Sequence, residues 1–145
     1  MPIQRELDKV ERVLRTTVSG PVTLNEIRNH IGLLRRTGAC QMPEIIDART
    51  AEHTGFSRHE LLSVAHHARQ SLGHTTPARR AVVVNADGGG WSLARTFSSL
   101  VAGWLRLGVF EDLESAEHWL RGTLMSIPTA GADRRTQAGG AQATA

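Results

Sequence analysis

A chain of 145 residues, 40% hydrophobic and 21% charged, carries a formal net charge of only +3, which suits a globular domain that buries its own core. Its cations are nearly all arginine, spread in pairs, and aromatics make up 4% with no tyrosine; that excludes the basic stripe and stacking rings of a nucleic-acid binder. The lone Cys40 excludes an internal disulfide, Arg5, Glu6, Asp8 and Lys9 stand where a signal peptide is apolar, and no apolar run reaches the ~20 residues of a membrane span. The expectation is a cytoplasmic protein.

In chain order, Ile3 onward and Val10–Val18 alternate weakly and predict two short strands, with a hairpin turn at Asp8-Lys9. Gly20-Pro21 punctuates the second. Thr23-Leu24-Asn25-Glu26 spells a capping box, in which the Thr hydroxyl accepts from the Glu amide while the Glu side chain reaches back. Leu24, Ile27, Ile31 and Leu34 then fall on one face of a helix that ends in Arg35-Arg36 and stops at Gly38. Pro43–Ala48 reads as a third strand that delivers Asp47 and Arg49 to a loop running to Phe56. Ser57-Arg58-His59-Glu60 is a second capping box, opening a helix to about Ser71 with Leu61, Val64, Ala65 and Ala68 inward.

Ala81–Val84 is the most apolar strand, apolar at successive positions as a strand covered on both faces must be. A glycine loop follows, then Leu93, Phe97, Leu100, Val101 and Trp104 at helical spacing. Leu107–Phe110 reads as the last strand, Asp112 as an N-cap, and Ala116, Trp119 and Leu120 as the inner face of a final helix. Strands alternating with helices imply parallel pairing through right-handed crossovers. The expected architecture is α/β: a mixed, mostly parallel five-stranded sheet with four helices in a single domain over 1–127. The aperiodic stretch 128–145, rich in Ala, Gly, Thr and Gln, is expected to be a disordered tail.

Three constellations invite a functional reading. Asn85-Ala86-Asp87-Gly88-Gly89-Gly90 lies beyond a strand's carboxyl end and before a helix, where open α/β sheets hold ligands, and Arg95 one turn on adds a positive charge. It is neither Gly-x-Gly-x-x-Gly with an acidic partner nor a P-loop, and the same residues also make a plain turn. His59, His66 and His67 share a helix, but their spacing is not that of a zinc site, so no metal and no cofactor is expected. Trp104 and Trp119 fall on core faces, whereas Trp91, directly after the glycines, is a candidate partner contact. No nucleophile with a base and an orienting group is evident, and the expectation is a protein that is not an enzyme.

Gly20 before a Thr-capped helix, Ile45-Ile46-Asp47-Ala48-Arg49, a Ser-capped helix and Arg80-Ala81-Val82-Val83-Val84 together resemble the STAS-like superfamily. These domains are similar to bacterial anti-sigma-factor antagonists and related in shape to CRAL-TRIO lipid-binding domains. Gly90, Ala94-Arg95 and Phe97, with Val109-Phe110, Ala116 and Trp119-Leu120, resemble a group of small bacterial members, and the likeness spans roughly Val10 to Leu120. The resemblance implies a STAS-like fold and a protein-interaction module for signalling. Its partner would be a regulatory kinase-like or membrane-associated complex, or a second copy of the chain. It also implies a phosphoacceptor at the start of the helix after the third strand, here Ser57, with Thr54 in the loop before it. This chain has Gly55-Phe56-Ser57-Arg58 where the family's acceptor motif is Asp-Ser-(Ser/Thr)-Gly, lacking both the Asp and the Gly, and the residues themselves read Ser57 as an N-cap alone. The expected contact surface comprises Asp47, Arg49, Asp87, Gly88, Gly89, Gly90, Trp91 and Arg95. The alternative is a carrier that holds a small molecule or lipid in an apolar cavity between helices and sheet.

Overall fold

The computed structural model describes residues 2–52, 55–86 and 88–125. The elements run β1 (Ile3–Asp8), β2 (Val13–Pro21), α1 (Leu24–Thr37), a 3-10 turn (Ala39–Gln41), β3 (Glu44–Glu52), α2 (Arg58–Leu72), β4 (Arg80–Val83), α3 (Gly89–Val101), β5 (Leu107–Phe110) and α4 (Leu113–Met125). The strands lie side by side in chain order, β1-β2-β3-β4-β5. β1 pairs antiparallel with β2, and the remaining neighbours are parallel. The α/β architecture is therefore the one expected from the sequence. The tail predicted for 128–145 lies outside the described residues.

The strand order determines how the helices are distributed. Every parallel connection steps to the next strand in the same direction, so right-handed crossovers set α1, α2 and α3 on one face. That layer is closed by Leu14, Ile31, Leu34, Cys40, Val64, Ala68 and Leu72 at one end and by Ala65, Val101 and Leu105 at the other. Among the described residues α4 alone packs on the opposite face, where Ala116 and Leu120 meet Val13, Ile45, Ala81 and Val83.

Local chemistry sets the boundaries. The Asp8 carboxylate accepts from the Val10 and Glu11 amides, an Asx turn that closes the hairpin. That turn occupies residues 9–12, with Arg12 at φ 58°, so β2 starts at Val13 and not at Val10 as the alternation suggests. Both capping boxes form, at Thr23/Glu26 and at Ser57/Glu60. α1 closes on Gly38 at φ 77°, a left-handed conformation in which a side chain would be strained.

β3 runs past Ala48 to Glu52 because β2 continues beside it. After an irregularity between Thr17 and Ser19, Ser19, Gly20 and Pro21 pair with Thr50, Ala51 and Glu52. Asp47 sits within the strand as its bounds implied, and Arg49, expected in the loop beyond Ala48, sits in the same strand. α3 begins at Gly89, one residue after its cap Gly88, and ends at Val101. Two of the three glycines are thus helical, and Trp104 lies in the turn that follows the helix, packed against both parts of the three-helix layer.

Candidate functional site

In a sheet of this kind the carboxyl ends of β2–β5 and the amino ends of all four helices share one edge. Most of the expected contact residues lie along that edge. On β3, Arg49 grips Asp47 in a two-pronged ion pair, Nε to Oδ1 at 2.9 Å and Nη2 to Oδ2 at 2.8 Å. The Arg49 hydrogen bonds hold the Asp47 carboxyl below its ordinary range, against the opposing effect of partial burial. Asn85 donates from Nδ2 to the Arg49 carbonyl at 2.8 Å, so the loop before α3 is tied to β3. Asp112 at the head of α4 caps that helix by accepting from the Ser115 amide at 2.7 Å, and its charge also reaches Arg49.

At the start of α3 the backbone does the capping. Gly88 contributes no side-chain hydrogen bond, and the Trp91 amide donates to its carbonyl at 3.2 Å. Gly90 lies over Val84, the residue just past the end of β4, close enough that an added Cβ would stand 3.8 Å from the valine. Trp91 is half-buried, and the Arg95 guanidinium lies 5.9 Å from its ring centroid, a cation–π pair one turn into the helix. Ser57 is exposed at the head of α2; its Oγ accepts from the Glu60 amide at 3.1 Å while Glu60 accepts from the Ser57 amide at 2.8 Å. Two groupings therefore emerge, Asp47–Arg49–Asn85 and Trp91–Arg95. Among the described residues no hydrogen bond or ion pair joins Ser57 to either. Thr54 and Asp87 lie outside the described residues.

Two other features escaped the sequence reading. The first is a buried polar cluster on the three-helix side. Glu44, at the start of β3, is wholly buried, yet it receives Thr16 Oγ1 at 2.6 Å and His30 Nε2 at 2.8 Å on one oxygen. Its other oxygen faces Arg80 Nε at 3.1 Å, an ion pair without the alignment of a hydrogen bond. Arg5 Nε donates to His30 Nδ1 at 2.8 Å, which leaves Nε2 to carry the proton given to Glu44. The Arg80 guanidinium also donates to the carbonyls of Ala39, Cys40, Met42 and Ala78. Burial pushes the Glu44 carboxyl up, but the His30 hydrogen bond, the Arg80 charge and the Thr16 hydroxyl together bring it below the ordinary range. Glu44 and Arg80 are opposed in register at the amino ends of adjacent strands, a pairing that depends on how β3 and β4 align and on no local pattern.

The second feature is a cleft of about 520 Å³ at the amino edge of the sheet, opposite to the edge expected to be functional. The segment from Gly73 to Arg79 walls it, with Pro43, Trp104, Arg106 and Leu120 on the other sides. Burial, reinforced by the charge of Arg106, pushes the Arg79 guanidinium down to about 10, and Arg79 also lies 5.3 Å from the Trp119 ring centroid. Among the described residues no group of three His, Cys, Asp or Glu side chains is placed to hold a metal ion, and no helix is long and apolar enough to cross a membrane.

Neither a family model nor a curated protein matches the chain. Among solved structures it is similar to an uncharacterized protein of the DUF3478 family with a SpoIIAA-like fold from Shewanella loihica PV-4. The two are 17% identical and superpose with a TM-score of 0.53 over 81% of this chain and 91% of that one. Together with the strand order and the crossovers, this likeness establishes the fold: the chain has a SpoIIAA-like, that is STAS-like, α/β fold.

Proposed function

We propose that this domain is a non-catalytic regulatory module, resembling anti-sigma-factor antagonists, that docks a protein partner or a second copy through the carboxyl edge of its sheet. The observation that carries the reading is the composition of that edge. It brings together an exposed hydroxyl at one helix start, an apolar ring at another and a charged pair between them, the mixture that interfaces favour.

Ser57 is the proposed phosphoacceptor, and its capping box supplies the mechanism. A phosphate brings about −1.5 to −2 charges. Placed on Ser57, it would accept from the free amides at the head of α2 but repel the Glu60 carboxylate that now accepts from the Ser57 amide. The box would have to open, and the 55–60 surface offered to a partner would change with it.

Native mass spectrometry and pull-downs from the source cell, read alongside intact mass with and without phosphatase, test both parts. The expected result is a specific partner or self-association, lost by roughly tenfold in Trp91→Ala, about what removing one aromatic anchor does at an interface. A phosphatase-sensitive mass increment absent from Ser57→Ala is expected as well. A chain that remains monomeric and partnerless under every growth condition would overturn the interaction reading.

A further inference from the structure

The buried His30 ring is held between two opposite charges, one at each nitrogen. Arg5 Nε donates to Nδ1 at 2.8 Å, and Nε2 lies 2.8 Å from Glu44 Oε2. The ring therefore carries one proton, on Nε2, and its remaining lone pair is taken up by a cation. A second proton has to bind at Nδ1, where Arg5 stands. Both nitrogens of an imidazolium are donors, so that proton and the Arg5 hydrogen bond exclude each other. We propose that this contact is a proton-operated latch: the neutral His30 ring ties the edge strand β1 to α1 through Arg5, and protonation of the ring releases Arg5. The latch stands apart from the carboxyl edge, since Glu44 and Arg80 open their strands at the other end of the sheet.

The groups around the ring confine the change to Arg5. From β1 comes the Arg5 cation, from β3 the Glu44 carboxylate, and from β4 the Arg80 cation on the far side of Glu44. Thr16 of β2 is a neutral donor to the same Glu44 oxygen. On α1 itself, Glu26 is turned to the Thr23 cap and Arg28 to Ser63 of α2. The rest of the α1–α2 contact is the apolar cluster of Ile31, Leu34, Val64, Ala68 and Leu72. Nε2 donates in both forms of the ring, so Glu44 stays satisfied and Arg5 alone is displaced. Arg5 is half-buried on an edge strand, from which a long guanidinium side chain can turn its head to water. Among the described residues its bond to His30 is the only hydrogen bond between β1 and a helix. With it open, no hydrogen bond ties β1 to the helical layer. The competing account is a fixed structural bond that holds until the chain unfolds.

The test follows the side-chain ¹⁵N resonances of His30 and Arg5 in the labelled full chain as the pH is lowered stepwise from neutrality, with the exposed His59, His66, His74 and His118 as internal references. The expected result is an Nε2-protonated His30 at the start, and an Arg5 Nε–H signal that is lost in step with the second proton on the ring. Arg5→Met removes the charged donor that competes for Nδ1, so the His30 midpoint should rise by about one pH unit, a tenfold gain in proton affinity. Arg5→Gln, which keeps a donor without the charge, should raise it less. A ring protonated on Nδ1 at the start, or an Arg5 Nε–H signal that persists while His30 titrates, would overturn the proposal. So would a His30 that takes up no proton before the chain unfolds, or a midpoint unmoved in Arg5→Met.

Discussion

Replacing Glu44 with Gln is expected to lower the unfolding free energy by about 3–5 kcal/mol, because it leaves the Arg80 cation buried without its counter-charge. Against a total of about 5–15 kcal/mol for a domain of this size, that is a large fraction, and it should appear as a drop of roughly 10–20 °C in the melting temperature. An unchanged melting temperature would mean that the carboxylate contributes nothing net. The companion substitution Arg80→Met separates the charge from the scaffolding role. Arg80 serves four backbone carbonyls as well as Glu44, so pairing Arg80→Met with Glu44→Leu should not restore full stability, as it often does for buried ion pairs with no other duties. The pH dependence follows from the carboxyl, whose folded value lies below its unfolded one. Its contribution is present above the ordinary carboxylate range and lost as pH falls through the lower folded value. Glu44→Gln should therefore flatten the acid limb of the stability profile measured by denaturant titration between about pH 5 and pH 2.

Gly108→Ala, in the middle of β5, is expected to destabilise by about 1–2 kcal/mol. A Cβ there would stand 2.7 Å from Phe110 Cε2, 3.0 Å from its Cζ and 3.3 Å from Trp119 Cη2. Overpacking of this kind costs about 1–3 kcal/mol, and the smaller entropy of the unfolded alanine chain returns only about 0.4–1 kcal/mol. Neither ring can swing away cheaply, since they pack on one another with centroids 5.4 Å apart and border the cluster of Val83, Ala116 and Leu120. Chemical denaturation with tryptophan fluorescence as the readout checks this, and a neutral or stabilising result would show that Phe110 has room the structure does not reveal.

The legible and illegible parts of this fold differ in range. Thr23 and Ser57 announced their helices because a capping box is complete within four residues. Leu61, Val64, Ala65 and Ala68 are all buried, as their spacing implied. Boundaries went wrong where a neighbour decided them: β3 outran its apolar centre because β2 offers partners as far as Pro21. The polar cluster was illegible for the same reason at a greater distance. Arg5, Thr16, His30, Glu44 and Arg80 come from five elements, and each alone looks like a solvated side chain at the end of a strand or on a helix. The candidate contact residues Asp47, Arg49, Gly88 and Trp91 could be placed on one edge from the strand order alone. That Asp47 and Arg49 close on each other required coordinates.

The solitary position of α4 has a consequence for how the molecule is made. During synthesis α1, α2 and α3 emerge alternately with the strands they cover, so their side of the sheet can close piece by piece behind the ribosome. The other side cannot. Val13, Ile45, Ala81 and Val83 form a contiguous apolar surface whose described cover is the last helix. Until those 13 residues have left the exit tunnel, the nascent sheet presents that surface to solvent. A chain stalled before Leu113 would be a nearly finished sheet with one greasy side, the form most in need of a chaperone and most ready to stick to its neighbours on a polysome.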